Sequence, residues 1–136
     1  MEEIAQVYAR SLFEVATERK KLDLEAWLRA HPGDEVRLAA ITVAELWRST
    51  ERAAPPQRTA RQKLLDRLFQ VFEVVPYSEK AAIEHARLWA TMDATGQRID
   101  MQDLILAATA LESGATIVTF RARRFEAIPG LTVVAP

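Results

Sequence analysis

The sequence predicts an α/β fold: a central parallel sheet covered by helices on both faces, in three layers. Short apolar runs rich in β-branched residues alternate along the chain with helical patterns, an order typical of parallel strands joined by crossover helices. The chain has no internal repeat and no low-complexity segment. Its 136 residues, of which 49% are hydrophobic, suit one domain with a core of its own.

Local signals place the individual elements. The runs that predict strands are 36–41, 71–76, 115–119 and 131–135. The patterns that predict helices are 2–19, 23–31, 42–50, 57–69, 78–94 and 100–113. Ser78 is a good N-cap, and Gly96 and Gly114 stand where the last two helices are expected to end.

Apolar stripes predict which faces of the last two helices point inward. In helix 78–94 the predicted inward residues are Ala82, Ala86, Trp89 and Met92. In helix 100–113 they are Met101, Leu104, Ile105, Ala108 and Leu111. His85 has no metal-ligand partner by spacing, so a surface or packing role is expected for it.

Composition excludes several classes of protein. The absence of cysteine excludes a disulfide framework, a zinc–thiolate site and an iron–sulfur cluster, and it fits a cytoplasmic location. The longest apolar runs are far shorter than the roughly 20 residues that a membrane span requires, so no membrane contact is expected. The net charge of −1 excludes a polybasic nucleic-acid binder, although local basic clusters remain open.

Three acidic residues are candidates for a metal site. Glu45 follows the predicted strand 36–41, and Asp100 and Asp103 stand three residues apart at the start of a helix. In a parallel sheet, chemistry collects beyond the carboxyl ends of the strands. Carboxylates brought together there would suit Mg²⁺ or Mn²⁺, which can activate water and neutralise charge on a phosphodiester.

Helix capping is the alternative explanation for the same residues. Thr42 and Glu45 have the spacing of a capping box, and Asp100 and Asp103 share that spacing with an aspartate as the cap. An acidic residue in the first turn also gains from the helix dipole. The spacing alone favours capping over a metal site at both positions.

Three longer segments resemble a known family: AAITVAELW (39–47), GQRIDMQDLILAATALESGATIVT (96–119) and RRFEAIPGL (123–131). In order and at the expected spacing, they resemble a PIN domain of the VapC-like toxin type over residues 20–136. This resemblance implies a metal-dependent endoribonuclease whose clustered acids hold Mg²⁺ or Mn²⁺. It also implies a homodimer and a cognate VapB-like antitoxin as partner.

Carried over by position, Glu45 matches the second acidic residue of the family and Asp103 the third, while Asp100 supports them at a more variable position. The family's first strand ends in an aspartate, but here Ala9 or Arg10 takes that place. The resemblance therefore implies an active site with fewer acids than usual.

Arginines replace two further polar positions of the family. After the predicted strand 115–119, Arg121 stands where Asn or Asp is usual, and Arg124 stands where an acid often precedes the phenylalanine. Arg121, Arg123 and Arg124 are predicted RNA phosphate contacts, since guanidinium groups grip phosphates. A solvated basic turn is the alternative.

The N-terminal segment MEEIAQVYARSLFEVA resembles the opening helix of an ATP synthase delta subunit. The predicted domain division is therefore 1–19 as an atypical N-terminal helical segment and 20–136 as the PIN-like domain, with the first strand atypical or replaced by a helix. Three hypotheses for function follow. The leading one is the ribonuclease; the others are a catalytically degenerate PIN-like module that binds an antitoxin or RNA, and an all-helical stator-type protein.

Overall fold

A five-stranded parallel sheet forms the centre of the fold. The computed structural model describes residues 6–8, 30, 35–119 and 121–135. The strands are β1 (Gln6–Tyr8), β2 (Glu35–Ala39), β3 (Glu73–Val75), β4 (Thr116–Val118) and β5 (Val133–Val134), in the spatial order β3-β2-β1-β4-β5. Every neighbouring pair is parallel. The predicted α/β fold is confirmed, and the all-helical stator-type fold is excluded.

Helices connect these strands. They are α1 (Ala40–Glu51), α2 (Pro55–Val71), α3 (Glu79–Thr95) and α4 (Met101–Ser113), and a 3-10 helix (Ala122–Phe125) follows β4. Pro55 opens α2, because the first turn of a helix does not need the N–H that proline lacks. Of the predicted helix 23–31, only Ala30 is among the described residues, and it is helical. No helix in the described part of the chain is long and apolar enough to cross a membrane.

The predicted ends of α3 and α4 are confirmed. At the start of α3, the Ser78 hydroxyl oxygen accepts a hydrogen bond from the Ala81 N–H at 3.1 Å. The helices end at Gly96 and Gly114, whose φ angles of 72° and 68° lie in the left-handed region that favours glycine. These ends fix the short loop between α3 and α4, which ends at Asp100, the N-cap of α4, one turn before Asp103.

The predicted helix over 2–19 is wrong at residues 6–8, which form β1 in the middle of the sheet. Val7 pairs with Val36 of β2 on one side and with Thr116 of β4 on the other. Two parallel neighbours supply backbone partners that outweigh the helical spacing of the apolar residues. The remaining residues of the predicted segment lie outside the described part of the chain, and a boundary at residue 20 stays a prediction.

The predicted inward face of α3 is wrong by one residue. The buried residues are Ala81, His85, Leu88 and Met92. Of the predicted set only Met92 is fully buried, and Trp89 is 47% exposed. Both candidate faces of α3 contain alanines, which fit a buried or an exposed position. The helical period alone therefore does not distinguish the face with Ala81 and Leu88 from the face with Ala82 and Trp89.

In α4 the prediction is partly confirmed. Leu104 and Ala108 are buried, Ile105 and Leu111 are half-buried, and Met101 is exposed. The main core lies between α3, α4 and the sheet, and a smaller cluster joins Leu46 of α1 to Leu65 of α2. The buried face of α4 also includes the carboxylate of Asp103, which no apolar pattern predicts.

His85 packs inside, which confirms the predicted packing role. The phenol oxygen of Tyr77 lies 2.8 Å from His85 Nδ1, and Met101 Sδ lies 3.0 Å from Nε2. The imidazole also stacks on Trp89, with ring centroids 5.4 Å apart. Burial lowers the pKa of His85 from its ordinary value of 6.5, because the charged form loses its hydration.

We expect the fold to lose stability in mild acid through this histidine. The unfolded chain takes up a proton at His85 near the ordinary pKa of 6.5, whereas the folded chain does so only at lower pH. The stabilisation is therefore complete above that pH and falls as the pH decreases below it. Urea unfolding of the wild type and His85→Gln from about pH 7.5 to about pH 5.5 measures this. Equal pH dependence in both proteins would contradict it.

Candidate functional site

The start of α4 lies at the carboxyl edge of the sheet. Since α4 leads into β4 through the short turn at Gly114 and Ala115, the helix runs opposite to the strand. Its first turn therefore sits beside the segment that leaves the carboxyl end of β4. This geometry places Asp103 next to the 3-10 helix that carries Arg124.

The carboxylate of Asp103 is almost fully buried. Its side chain is 2% exposed, whereas that of Asp100 is 72% exposed. Buried carboxylates require a cation, hydrogen bonds or a dipole to offset their lost hydration. Asp103 lies in the first turn of α4, where the helix dipole favours a negative charge. The two acids are thus neighbours in different surroundings, one buried and one in water.

Helix capping, which the spacing favoured, is wrong for both pairs. The helix α1 begins at Ala40, with Ala39 as its N-cap, so Thr42 is inside the helix and cannot cap it. At α4, Asp100 occupies the N-cap position, but its side chain makes no capping hydrogen bond. The reason at α1 is that β2 passes into the helix without an intervening turn. The helix dipole still accounts for an acid in the first turn at Asp103, but not at Glu45, because α1 has no acidic residue in its first turn.

Glu45 lies on α1, the helix that follows β2 directly. A helix that leaves the carboxyl end of a parallel strand starts at that edge of the sheet, and Glu45 is in its second turn. The residue is half-buried and lines a surface groove. The structure therefore places Glu45 and Asp103 on helices that both begin at the carboxyl edge.

Arg124 is a cation that the structure places beside Asp100 and Asp103. One guanidinium nitrogen, Nη1, lies 3.6 Å from Asp103 Oδ2 and 3.7 Å from Asp100 Oδ2. These distances are ion pairs and are longer than a hydrogen bond. The guanidinium is 45% exposed, so one side of it faces solvent. The residue predicted as an RNA phosphate contact thus also neutralises the acids at the start of α4.

The described residues do not form a site that fits a divalent ion. Among residues 6–8, 30, 35–119 and 121–135, no three His, Asp or Glu side chains form a group that could hold a metal. The structure brings Asp100 and Asp103 together around Arg124, but it does not group them with Glu45 in such an arrangement. The metal role of these three acids stays a prediction.

The other two predicted phosphate contacts are on the turn after β4. Arg121 and Arg123 are exposed, and the backbone N–H of Arg121 donates to the hydroxyl of the buried Thr119 at 3.0 Å. This hydrogen bond fixes the direction in which the chain leaves the sheet. Both arginines are accessible to a polyanion, and their contact with RNA stays a prediction.

A second group of arginines was missed by sequence reasoning. A groove between α1 and α2 is lined by Glu45, Arg48, Ser49, Arg52, Ala53, Ala54, Gln57 and Arg61. Arg48 and Arg52 stand four residues apart and therefore share one face of α1. That spacing was visible in the sequence, but the contribution of Arg61 depends on how α2 packs against α1. We call this cavity the arginine groove.

Comparison with known proteins identifies the family. A PIN domain profile matches residues 11–131, which is most of the chain. The chain belongs to the PIN domain family. Its predicted resemblance is thereby confirmed. The similarity of residues 1–16 to an ATP synthase delta subunit is not tested by this match.

The relatives of this PIN domain include ribonucleases and a plasmid stability protein. It is 28% identical over 96 residues to the tRNA(fMet)-specific endonuclease VapC of Salmonella typhimurium, covering 71% of each chain. It is 32% identical over 115 residues to the plasmid stability protein StbB of Pseudomonas syringae, covering 81% of each. Among solved structures, DNA-bound VapBC from Salmonella typhimurium matches with a TM-score of 0.86 at 20% identity, over 97% of this chain and 98% of that one. At that identity the likeness shows the fold alone.

Proposed function

We propose that this PIN domain is an endoribonuclease of the VapC type, which hydrolyses RNA phosphodiester bonds. The observation that carries the proposal is the buried carboxylate of Asp103 at the carboxyl edge of the sheet, with the cation of Arg124 beside it. Family membership and the ribonuclease VapC relatives support the same activity. A VapB-like antitoxin is the proposed partner, because several similar structures are VapBC complexes. Homodimer formation and a cytoplasmic location stay predictions.

In the proposed reaction, a water molecule attacks the phosphorus atom, the P–O bond to the leaving ribose oxygen breaks, and that oxygen takes up a proton from solvent. A carboxylate, Glu45 or Asp103, accepts a proton from the attacking water. The guanidinium of Arg124 is placed to offset the negative charge that grows on the phosphate oxygens, since its exposed side faces solvent. These three side chains are the ones on which we propose that the chemistry depends.

PIN-domain VapC nucleases generally depend on a divalent metal ion for activity. For this chain we propose Mg²⁺ or Mn²⁺ as the ion, because carboxylate oxygens are the available donors. Such an ion would neutralise phosphate charge and activate water. The described residues do not by themselves form a site that fits a divalent ion, so no step of the proposed reaction depends on that ion.

The test of the proposal is RNA cleavage by the purified full-length chain, with and without Mg²⁺ or Mn²⁺. We expect cleavage by the wild type and a loss on the order of a hundredfold in Glu45→Gln, as is common when one charge-handling group is removed. Glu51→Gln is the matched control, because Glu51 is exposed at the end of the same helix. Equal cleavage by the wild type and Glu45→Gln would contradict the proposal and indicate a contaminating nuclease.

A second candidate function is a catalytically degenerate PIN domain that binds an antitoxin or RNA. The contact of Arg124 with Asp100 and Asp103 favours it, since a guanidinium lies where a metal ion would be held by these two acids. This candidate requires binding without metal-dependent turnover. A wild-type chain that retains labelled RNA intact in Mg²⁺ and in Mn²⁺ supports it, and robust cleavage excludes it.

A further inference from the structure

The arginine groove is a surface cavity between two helices. The helices α1 and α2 are joined by the short link 52–54, so they pack side by side, with Leu46 and Leu65 at their contact. The groove has a volume of about 570 Å³ and runs along the end of α1 and the start of α2. The described fold therefore contains a cavity outside the cluster of Asp100, Asp103 and Arg124.

The charges that line this groove are mostly positive. Among the residues that the structure describes, three arginines line it, Arg48, Arg52 and Arg61, against one acidic residue, Glu45. One arginine near the end of a helix is explained by the helix dipole. The dipole of α1 does not explain three arginines that line one cavity, because Arg61 comes from α2. The groove thus has the composition of an anion site.

One wall of the groove is fixed. The Arg61 guanidinium donates to the carbonyl oxygen of Ser49 at 3.3 Å and to its hydroxyl oxygen at 3.0 Å. Arg48 and Arg52 are exposed and free to turn toward a ligand. An arginine held in place loses less side-chain entropy when it binds an anion. The groove therefore combines one positioned cation with two adaptable ones.

The groove reaches the proposed catalytic residue. Glu45 lines it, and Arg52 lies seven residues further along α1, which is about 10 Å at the helical rise. The carboxylates of Glu45, Asp100 and Asp103 repel a polyanion, whereas the three arginines that line the groove together with Glu45 attract one. This continuity favours a phosphodiester chain over an acidic peptide as the ligand.

We infer that the arginine groove binds the phosphate backbone of RNA immediately beside Glu45, with Arg48, Arg52 and Arg61 as the phosphate contacts. This inference rests on the proposed function, because RNA is the substrate proposed there. It is separate from the predicted contacts at Arg121, Arg123 and Arg124. The groove extends the RNA path away from the acids along α1.

The test measures binding without cleavage. The full-length chain is titrated against a short, fluorescein-labelled, single-stranded 2′-O-methyl oligoribonucleotide in EDTA, and fluorescence anisotropy is followed at several salt concentrations. We expect the double variant Arg48→Gln/Arg52→Gln to bind at least about tenfold more weakly, and its salt slope to fall by roughly 0.7 for each lost phosphate contact. This variant leaves the hydrogen bonds of Arg61 to Ser49 in place, and far-ultraviolet circular dichroism checks its fold.

The matched control is Arg67→Gln, because Arg67 is exposed on α2 and does not line the groove. Equal RNA affinity in the control and the double variant would overturn the inference, as would a wild type that does not bind the oligonucleotide. If the double variant lost binding to labelled hexaglutamate but kept the RNA affinity of the wild type, the groove would be assigned to an acidic peptide. That result would also overturn the inference. Tight, groove-dependent binding by a chain that cleaves no RNA would support the groove and contradict the proposed function.

Discussion

Replacing Asp103 by asparagine is expected to reduce RNA cleavage by about a hundredfold or more, which is the usual effect of removing one group that handles charge in a transition state. Asparagine has nearly the same shape as aspartate and removes only the negative charge. The carboxylate is 2% exposed and lies 3.6 Å from the Arg124 guanidinium. In such a buried position its negative charge acts on the Arg124 guanidinium and on the attacking water with little screening by solvent.

The matched control for this prediction is Asp100→Asn. Asp100 lies almost as close to Arg124, at 3.7 Å, but its side chain is 72% exposed. Water screens it, so we expect a loss of cleavage of less than about tenfold. Single-turnover cleavage of one labelled RNA by the wild type and both variants gives the rates. Equal losses at the two positions would contradict a special role for the buried acid.

The second large effect is expected at Arg124. We expect Arg124→Gln to bind Mn²⁺ at least about tenfold more tightly than the wild type, because the substitution removes a positive charge from beside two carboxylates. At an effective dielectric constant of about 20, unit charges about 4 Å apart repel by about 4 kcal/mol. Solvent around the half-exposed guanidinium reduces this value, but about 1.4 kcal/mol is enough for a tenfold change.

Isothermal titration of the metal-free proteins with MnCl₂ measures this affinity without any cleavage. Arg123→Gln is the control, since Arg123 is an exposed arginine on the same 3-10 helix. We expect its Mn²⁺ affinity to equal that of the wild type. The same affinity in the wild type and Arg124→Gln would show that the guanidinium does not compete with a metal ion for Asp100 and Asp103.

Local signals allowed most of the fold to be predicted. The N-cap at Ser78 and the glycines at 96 and 114 act within one turn of chain, so sequence alone places the ends of α3 and α4. The strand β1 is different. It has three residues, and its conformation depends on partners in β2 and β4 that are distant in sequence. Its local spacing favoured a helix, and only the tertiary pairing decides against it.

The site was predicted in parts for the same reason. The positions of Glu45 and Asp103 followed from the family resemblance, while their spacing suggested caps that the structure does not contain. The contact of Arg124 with the acids joins a residue after β4 to the start of α4. No periodic pattern links these two segments. The arginine groove likewise requires α2 to fold back on α1.

The central place of β1 has a consequence for synthesis of the chain. Ribosomes produce Gln6–Tyr8 before the other four strands of the sheet, and Val7 pairs with Thr116, which is synthesised over a hundred residues later. Pairing between such distant segments is slow to nucleate. Arg124 is synthesised after β4, so its ion pair with Asp103 forms only after that strand has been made. A nascent chain that stops short of Arg124 therefore lacks the ion pairs that join this arginine to Asp100 and Asp103.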